Sequence, residues 1–490
     1  MSVPPDQMDL WALAPHVVKP LNQQAFLVIR KDNGAVAALD MQWQRFLQML
    51  QRFNTLAGHA QTIAGAVPAL KGQQSALQSG IVPLVKTGVF VSASELAGQL
   101  TEAAATPAEK RPLTIVIPTC DRPRFLGRLL DSLRSNQERF GTGWPVEVID
   151  DSRDEANRRR NAELVGEAVS HFPATYVGRQ EQLAVIDRLC KEFPEGEDYF
   201  RWLLWSEHPA HEGQATYGVP INHAVLRHAG RRVIFIDDDA VIRAWTKGNG
   251  RAGIRFDNQI RSFDVCLDID KVSRSLGVYP EDPLFAHASV LGSKVAEVLT
   301  ELRAGAASPF GATSSGELAF LDPQYSLVRY SVNGILGDTG AENDLGSFQS
   351  LSPQILRDEA LYKRFRGSAR CIFSGQPFAD LLSSVWFQRT TAAGVNLDPY
   401  MAPVMPTGRG EDTMTGVLMR YLYPGDFGMR FEFALEHRPA EKRPWVFDTC
   451  SRGRRITGAG ALALWLWNVS APPAMAPADK MLMGGESVQE

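Results

Sequence analysis

The stretch RRVIFIDDDAVIRAW, Arg231 to Trp245, carries an apolar run, Val233 to Ile236, that ends in three consecutive carboxylates, Asp237, Asp238 and Asp239. Like charges this close repel, and each prefers water to a protein interior. A helix cap or a solvated turn accounts for one Asp but leaves two unexplained. A divalent cation held by hard oxygen ligands accounts for all three, because it also removes the repulsion. A second pair, Asp150 and Asp151, closes the apolar run VEVID. A carboxylate there can accept hydrogen bonds from a base or a ribose, although Asp is also a common turn residue. A third acidic pair, Glu411 and Asp412, follows Gly408 and Gly410 and precedes Met414, Val417, Leu418 and Tyr421, which mark one helical face. Acids in a first helical turn are favourable on electrostatic grounds alone; the functional alternative is a general base. His437 follows the apolar run FEFALE. Such a His is most simply structural, and it gains interest only where a cation needs another ligand.

Other combinations carry less. GNGRAG, Gly248 to Gly253, matches a dinucleotide fingerprint by letters but does not stand between a strand and a helix. His208 and His211 lack the spacing of a zinc-binding helix. Arg158, Arg159 and Arg160 read as a solvated helix face.

The elements that must position these residues alternate. LTIVIP is a β-branched strand, and PRFLGRLLDSLRS is a helix with Phe125, Leu126, Leu129, Leu130 and Leu133 on its apolar face and Asp121 as the expected cap. VEVID is a strand, INHAVLRHAG a helix ending at Gly230, and RRVIFID another strand. This alternation predicts an α/β, doubly wound, mostly parallel sheet, whose ligands bind beyond the carboxyl ends of the strands. Thr119, Asp151 and Asp237 to Asp239 all fall there. The stretch from about 247 to 400 is rich in Gly, Ser and Asp and reads as long loops with a few strands.

An earlier unit spans about residues 25–92. AFLVIR and AVAAL flank Asn33-Gly34, a hairpin signal. Trp43, Phe46, Leu47, Leu50 and Phe53 share a helical face, Thr55 caps a second helix, and a third is interrupted by Gly80 and Pro83 before VFVSAS closes as a strand. This is a winged-helix-like pattern. TEAAATPAEKRP reads as a linker, and the final SAPPAMAPADKMLMGGESVQE as a loose tail.

The 490 residues carry 51 basic and 55 acidic side chains, a net charge of −4, so nothing in the overall charge points to nucleic acid as the partner. Five cysteines without a CxxC pair suggest neither a zinc knuckle nor a disulfide framework. The opening MSVPPDQMDLWALAPH lacks the blocks of a signal peptide, and the most apolar run, GAGALALWLW, is too short to span a bilayer. The expectation is a cytoplasmic protein without a membrane span.

Taken in order, LTIVIPTCDRPRFLGRLLDSL, VEVIDDS, INHAVLRHAGRRVIFIDDDA and GRGEDTMTGVLM resemble the GT-A glycosyltransferases, specifically inverting family 2. They correspond to its opening strand and helix, its nucleotide-contacting Asp, its Asn-Ala helix with the DxD strand, and its later Glu-Asp motif. The resemblance covers about residues 113–437 and is vague in the middle. The stretch between Gly178 and Gly218 has the look of an insertion. The N-terminal unit more faintly resembles winged-helix domains that bind leader peptides of ribosomally made, modified peptides (RiPPs).

The resemblance implies three parts: residues 1–105, winged-helix-like and recognising a peptide or other acceptor; 106–455, a GT-A domain; and 456–490, a tail. It implies that Pro118, Thr119 and Asp151 line the base pocket, that Asp238 contacts ribose or sugar, and that Asp239 with Asp237 and His437 holds Mn²⁺ or Mg²⁺. It further implies Asp412 as the base, with Glu411 orienting the acceptor. The expected donor is a nucleotide sugar, a UDP-sugar first; if the N-terminal unit binds a leader peptide, rather than serving as a generic winged-helix module for DNA or dimerisation, the acceptor is a Ser, Thr or Cys side chain of that peptide. Two other classes compete. A sugar nucleotidyltransferase calls for a glycine-rich loop where PTCDRP stands, and a non-catalytic nucleotide-sugar-binding scaffold has no need of Asp412.

Overall fold

The computed structural model describes residues 9–247, 253–258, 264–266, 269–301, 309–338, 357–367, 371–376, 378–383, 391–408, 411–439, 477 and 479–481. The N-terminal unit is built on β1 (Trp11–Leu13), β2 (His16–Pro20), β3 (Ala25–Arg30) and β4 (Val36–Asp40). β2, β3 and β4 form an antiparallel sheet. Phe26 and Val28 on β3, and Ala37 and Leu39 on β4, alternate inward, as a half-buried sheet requires. Gly34 supplies the positive φ of the hairpin turn, at 72°.

The next apolar face folds as a short 3-10 segment, Met41–Phe46, running into α1 (Leu47–Leu50) rather than as one helix. α2 (Leu56–Ala66) is capped by the Thr55 hydroxyl, which accepts from the Gly58 N–H at 3.0 Å. α3 (Gln74–Lys86) runs unbroken through Gly80 and Pro83. β5 (Phe90–Ser92) pairs with β1, not with the hairpin. The inward-facing Arg30 ties the two sheets together, pairing with Asp32 and donating to the carbonyls of Gly88 and Phe90.

α4 (Ala93–Ala103) covers the start of the expected linker. The rest of that segment is anchored: the Ala108 N–H donates to Glu297 at 2.7 Å, Lys110 Nζ to the Ser289 carbonyl at 2.8 Å, and Arg111 pairs with Asp398 at 3.1 Å. Ala12, Phe53, Ala93, Leu100 and Ala103 belong to the core of the large sheet.

That sheet begins with β6 (Leu113–Thr119), α5 (Pro123–Phe140), β7 (Val146–Asp150), α6 (Glu155–Ala168), β8 (Ala174–Val177), α7 (Arg179–Glu192), α8 (Glu197–Leu204), α9 (Gly218–Arg227) and β9 (Arg232–Ile236). β8, β7, β6 and β9 are adjacent and parallel. Every residue of β7 and β9 is buried, as strands covered on both faces demand. The α/β class and the Rossmann-like half that the resemblance implies are both present. The Asp121 carboxylate does not cap α5. Asp121 takes a positive φ of 54°, and its carboxylate accepts from the N–H groups of Arg153 and Asp154. It thereby clasps the loop after β6 to the loop after β7, and α5 instead starts on Pro123.

The remainder comprises β10 (Ala240–Thr246), β11 (Ile254–Phe256), β12 (Asp264–Cys266), α10 (Ile269–Ser273), β13 (Gly277–Val278), α11 (Pro283–Val290), α12 (Val295–Glu301), β14 (Val328–Gly337), α13 (Glu359–Gly367), β15 (Cys371–Phe373), β16 (Ala379–Leu382), β17 (Ala392–Asn396), α14 (Glu411–Leu422) and β18 (Phe427–His437). The stretch expected as long loops with a few strands holds β14, a ten-residue strand at the sheet centre. β17 runs antiparallel between β9 and β14, and β14 pairs parallel with β18. The tail is not wholly loose: Lys480 is buried, donates to the Leu422 carbonyl at 3.0 Å, and so caps the end of α14. Among the described residues, no helix is long and apolar enough to cross a membrane.

Candidate active site

The parallel register aligns Thr119 with Asp150, so β6 and β7 end at one edge, and β9 delivers Asp237 to the same edge. The two acids after β7 divide their work. Asp150 is fully buried and accepts from the Ser152 N–H at 2.8 Å, from Asn161 at 3.0 Å and from the Tyr176 hydroxyl at 2.8 Å. It is a structural anchor. Asp151 accepts from the Thr216 hydroxyl at 2.7 Å and from Ser206, both in the segment that reads as an insertion. Burial pushes its carboxyl up to about 6, against the pull of those two hydroxyls. Pro118 and Thr119 lie beside it at the end of β6.

The three carboxylates after β9 form the turn into β10, closed by the Ala240 N–H donating to the Asp237 carbonyl at 3.0 Å. Asp238 accepts from the Thr119 hydroxyl at 2.8 Å, which joins it to the β6 end. Burial pushes its carboxyl up to about 6; Arg122 opposes this, and the adjacent Asp239 and Asp237 add to it. Asp239 behaves oppositely. Although burial works against its charge, the hydrogen bond and charge of His437, with Arg122, hold it below the usual carboxylate range.

His437 ends β18, opposite Ala240 on one side and Gly337 on the other. Its Nε2 lies 2.8 Å from Asp239 Oδ1, and its Nδ1 bonds the Asp338 carbonyl. Burial disfavours its charge, yet the hydrogen bond to Asp239 raises it to about 9. Gly337 makes this approach possible. Its φ is 137°, and a Cβ there would lie 2.0 Å from the His437 carbonyl oxygen.

Among the described residues, Asp237, Asp239 and His437 group as potential cation ligands, with one ligand atom from each lying within 4.8 Å of the others. Octahedral ligands at about 2.1 Å stand roughly 3.0 to 4.2 Å apart, so small side-chain movements suit this set to Mg²⁺ or Mn²⁺. The bond from Nδ1 to a backbone carbonyl is the arrangement that orients a metal-binding imidazole, and a cation would take the place of the Nε2 proton that faces Asp239.

α14 starts at Glu411, as the helical periodicity expects. The side chains of Glu411 and Asp412 lie outside the described residues. The approach to them is described: the Gly218 N–H donates to the Pro406 carbonyl at 3.1 Å, and the Gly408 N–H to the Ala215 carbonyl at 3.3 Å. The chain leading into α14 is thus fixed to the residues flanking Thr216, the Asp151 partner. All of GNGRAG except its final Gly253 also lies outside the described residues. His211 is buried beside His208, in no metal-type grouping among the described residues, and Arg159 and Arg160 pair with acids on their own helix.

Sequence reasoning missed Arg122, Arg128, Ser206 and Thr216. Arg122 Nη1 lies 3.2 Å from both Asp238 and Asp239. Arg128 donates to the carbonyls of Asp239 and Arg438, both at 2.8 Å, and so ties the acidic turn to the end of β18. No local signal marks Arg128, which the helical spacing puts on the far side of α5 from Leu126, Leu129, Leu130 and Leu133.

No protein-family model and no curated protein matches the chain. Among solved structures, the chain is similar to S. aureus TarS 1-349, at 20% identity and a TM-score of 0.17, over 27% of this chain and 28% of that one, less than a third of its length. It is also similar to the mannosyltransferase PcManGT from Pyrobaculum calidifontis in complex with GDP-Man and Mn²⁺, at 12% identity and a TM-score of 0.31, over 80% of this chain and 76% of that one.

Proposed function

We infer that this chain is a cation-dependent glycosyltransferase, transferring a sugar from a nucleotide-sugar donor with inversion at the anomeric carbon. The observation that carries the reading is the meeting of Asp237, Asp239 and His437 with Thr119, Asp151 and Asp238 at one carboxyl edge of a Rossmann-like sheet. Asp151, beside Pro118 and Thr119, accepts from the base, and a UDP-sugar is the first donor to try. Asp238, held by Thr119, faces the ribose or sugar. Asp239, Asp237 and His437 hold Mn²⁺ or Mg²⁺, which supplies Lewis-acid and charge stabilisation for the departing diphosphate. Asp412 takes the acceptor proton as the nucleophile attacks from the opposite face, and Glu411 orients the acceptor.

The N-terminal unit supports an acceptor that is itself a chain. Its β2 lies at a sheet edge and exposes Val17 and Val18, a surface suited to strand addition by an extended peptide. Tethering a peptide there raises the effective concentration of its Ser, Thr or Cys side chain.

The test is release of nucleoside diphosphate from a panel of nucleotide sugars with Mn²⁺. Asp239→Ala is expected to lower turnover by at least about 10³-fold and to weaken nucleotide binding. Asp412→Asn is expected to lower transfer by about 10²- to 10⁴-fold while sparing nucleotide binding. No turnover with any donor, or undiminished activity in Asp239→Ala, overturns the reading.

A further inference from the structure

We propose that Arg122 is a resident counter-cation: it neutralises the acidic turn when the site is empty and moves to the donor diphosphate when cation and nucleotide arrive. This rests on the reading of Asp237, Asp239 and His437 as cation ligands. The Arg122 guanidinium bridges two acids through one nitrogen, with Nη1 3.2 Å from Asp238 Oδ1 and 3.2 Å from Asp239 Oδ2. The side chains of the two acids are only 7% and 9% exposed, whereas that of Arg122 is 48% exposed. The acids are fixed and their partner is free to swing.

Asp239 is shared: Oδ1 faces His437 Nε2 at 2.8 Å, and Oδ2 faces Arg122. A divalent ion bound to Asp239 at about 2.1 Å stands within roughly 5 Å of the guanidinium. Two cations then compete for one carboxylate, so the resident arginine weakens binding of the ion alone. A diphosphate reverses the balance. It brings negative charge to the ion, and the planar guanidinium pairs with phosphate through two parallel hydrogen bonds. Arg122 immediately precedes Pro123, which opens the 18-residue α5, so its side chain starts from a helix N-terminus, where phosphate is already favoured. Ordered binding follows: the ion binds poorly without nucleotide and well with it.

The test measures two affinities on the full chain. Mn²⁺ binding without nucleotide is read from the spin-resonance signal of free Mn²⁺. Binding of UDP and of GDP at saturating Mn²⁺ is read by calorimetry. Arg122→Ala is expected to bind Mn²⁺ alone roughly tenfold more tightly and the nucleoside diphosphate roughly tenfold more weakly. Opposite signs are what a merely structural role does not produce. Arg124→Ala, an exposed neighbour, is expected to leave both affinities within about twofold, excluding a general charge effect. Thermal melting checks folding, and Arg122→Gln replaces the alanine variant, with the same signs expected, if that variant unfolds. Unchanged or weaker Mn²⁺ binding, or unchanged diphosphate binding, overturns the proposal while Asp239→Ala still abolishes Mn²⁺ binding. If, at saturating UDP or GDP, Asp239→Ala retains Mn²⁺ as the unaltered chain does, or neither chain retains it, the cation reading itself fails and takes the proposal with it.

Discussion

Thr216 and Ser206 hold a carboxylate that would otherwise be costly to bury. Asp151 is 6% exposed, and its carboxyl sits at about 6, pushed there by burial against the two hydroxyls. A protonated Asp151 loses acceptor capacity, so a base that donates to it binds best when it is ionised. Nucleotide affinity is therefore expected to fall as pH drops through about 6, by about tenfold for each unit below it. In Asp151→Asn the step is expected to shrink to what Asp238, also pushed up to about 6, contributes, and affinity stays low at every pH. Calorimetric titration with the nucleotide from pH 5 to 8 checks this, and an identical pH step in Asp151→Asn excludes Asp151 as its source. The position of Asp151 at a strand end was legible in VEVIDDS, because a buried run that ends in acid is uncommon. Its partners were not. Ser and Thr occur throughout the chain, and nothing local signals that Thr216, 65 residues away, will supply the hydroxyl. Arg122 was illegible for the same reason: its partners lie 116 and 117 residues further on.

Strands and helices set the distances that these side chains use, and β14 shows how. It pairs with β18 up to Gly337 and His437, so the register of two strands fixes the imidazole beside Asp239. Gly337→Ala places a methyl group where the His437 carbonyl oxygen already stands, at a backbone angle that side chains rarely adopt. The end of β18 must then shift. The expected outcome is Mn²⁺ binding at least about tenfold weaker at saturating nucleotide, with a melting temperature lowered by several degrees. Undiminished Mn²⁺ affinity in a folded variant counts against strand register as the positioning device. β6, β7 and β9 were readable because strands buried on both faces become continuous β-branched runs. β14 is almost as buried but reads VRYSVNGILG, with Arg329, Tyr330, Ser331 and Asn333 among its first six residues. Three of those groups reach distant partners: Arg329 pairs with Asp426, Ser331 meets His287 at 2.8 Å, and Asn333 donates to Thr391 at 2.8 Å. Local hydrophobicity cannot report a strand whose polar groups are paid for elsewhere.

At the scale of the whole molecule, the N-terminal unit is both separate and attached. Phe26, Leu47, Leu56 and Ile81 give it a core of its own. The Phe53 ring nevertheless lies tilted against that of Phe310, with centroids 5.5 Å apart, its N–H donates to the Thr313 carbonyl at 3.1 Å, and Leu100 and Ala103 on α4 enter the core of the large sheet. A cut at residue 106, where composition places the boundary, therefore strips α4 from α12 and leaves apolar surface open. A cut before Phe90 keeps α4 and removes the hairpin sheet. The chain starting at residue 106 is expected to melt at least about 5 °C lower than the chain starting at residue 90, or to aggregate. The chain starting at residue 90 is expected to hydrolyse the nucleotide sugar within about threefold of the full chain, because no residue of the acidic turn belongs to the unit removed. Its transfer to a peptide acceptor is expected to fall by about 10²-fold or more, through loss of tethering alone. The informative comparison is between the two activities of that single variant. Hydrolysis and transfer reduced by the same factor assign the N-terminal unit to stability, whereas loss of transfer with hydrolysis retained assigns it to the acceptor.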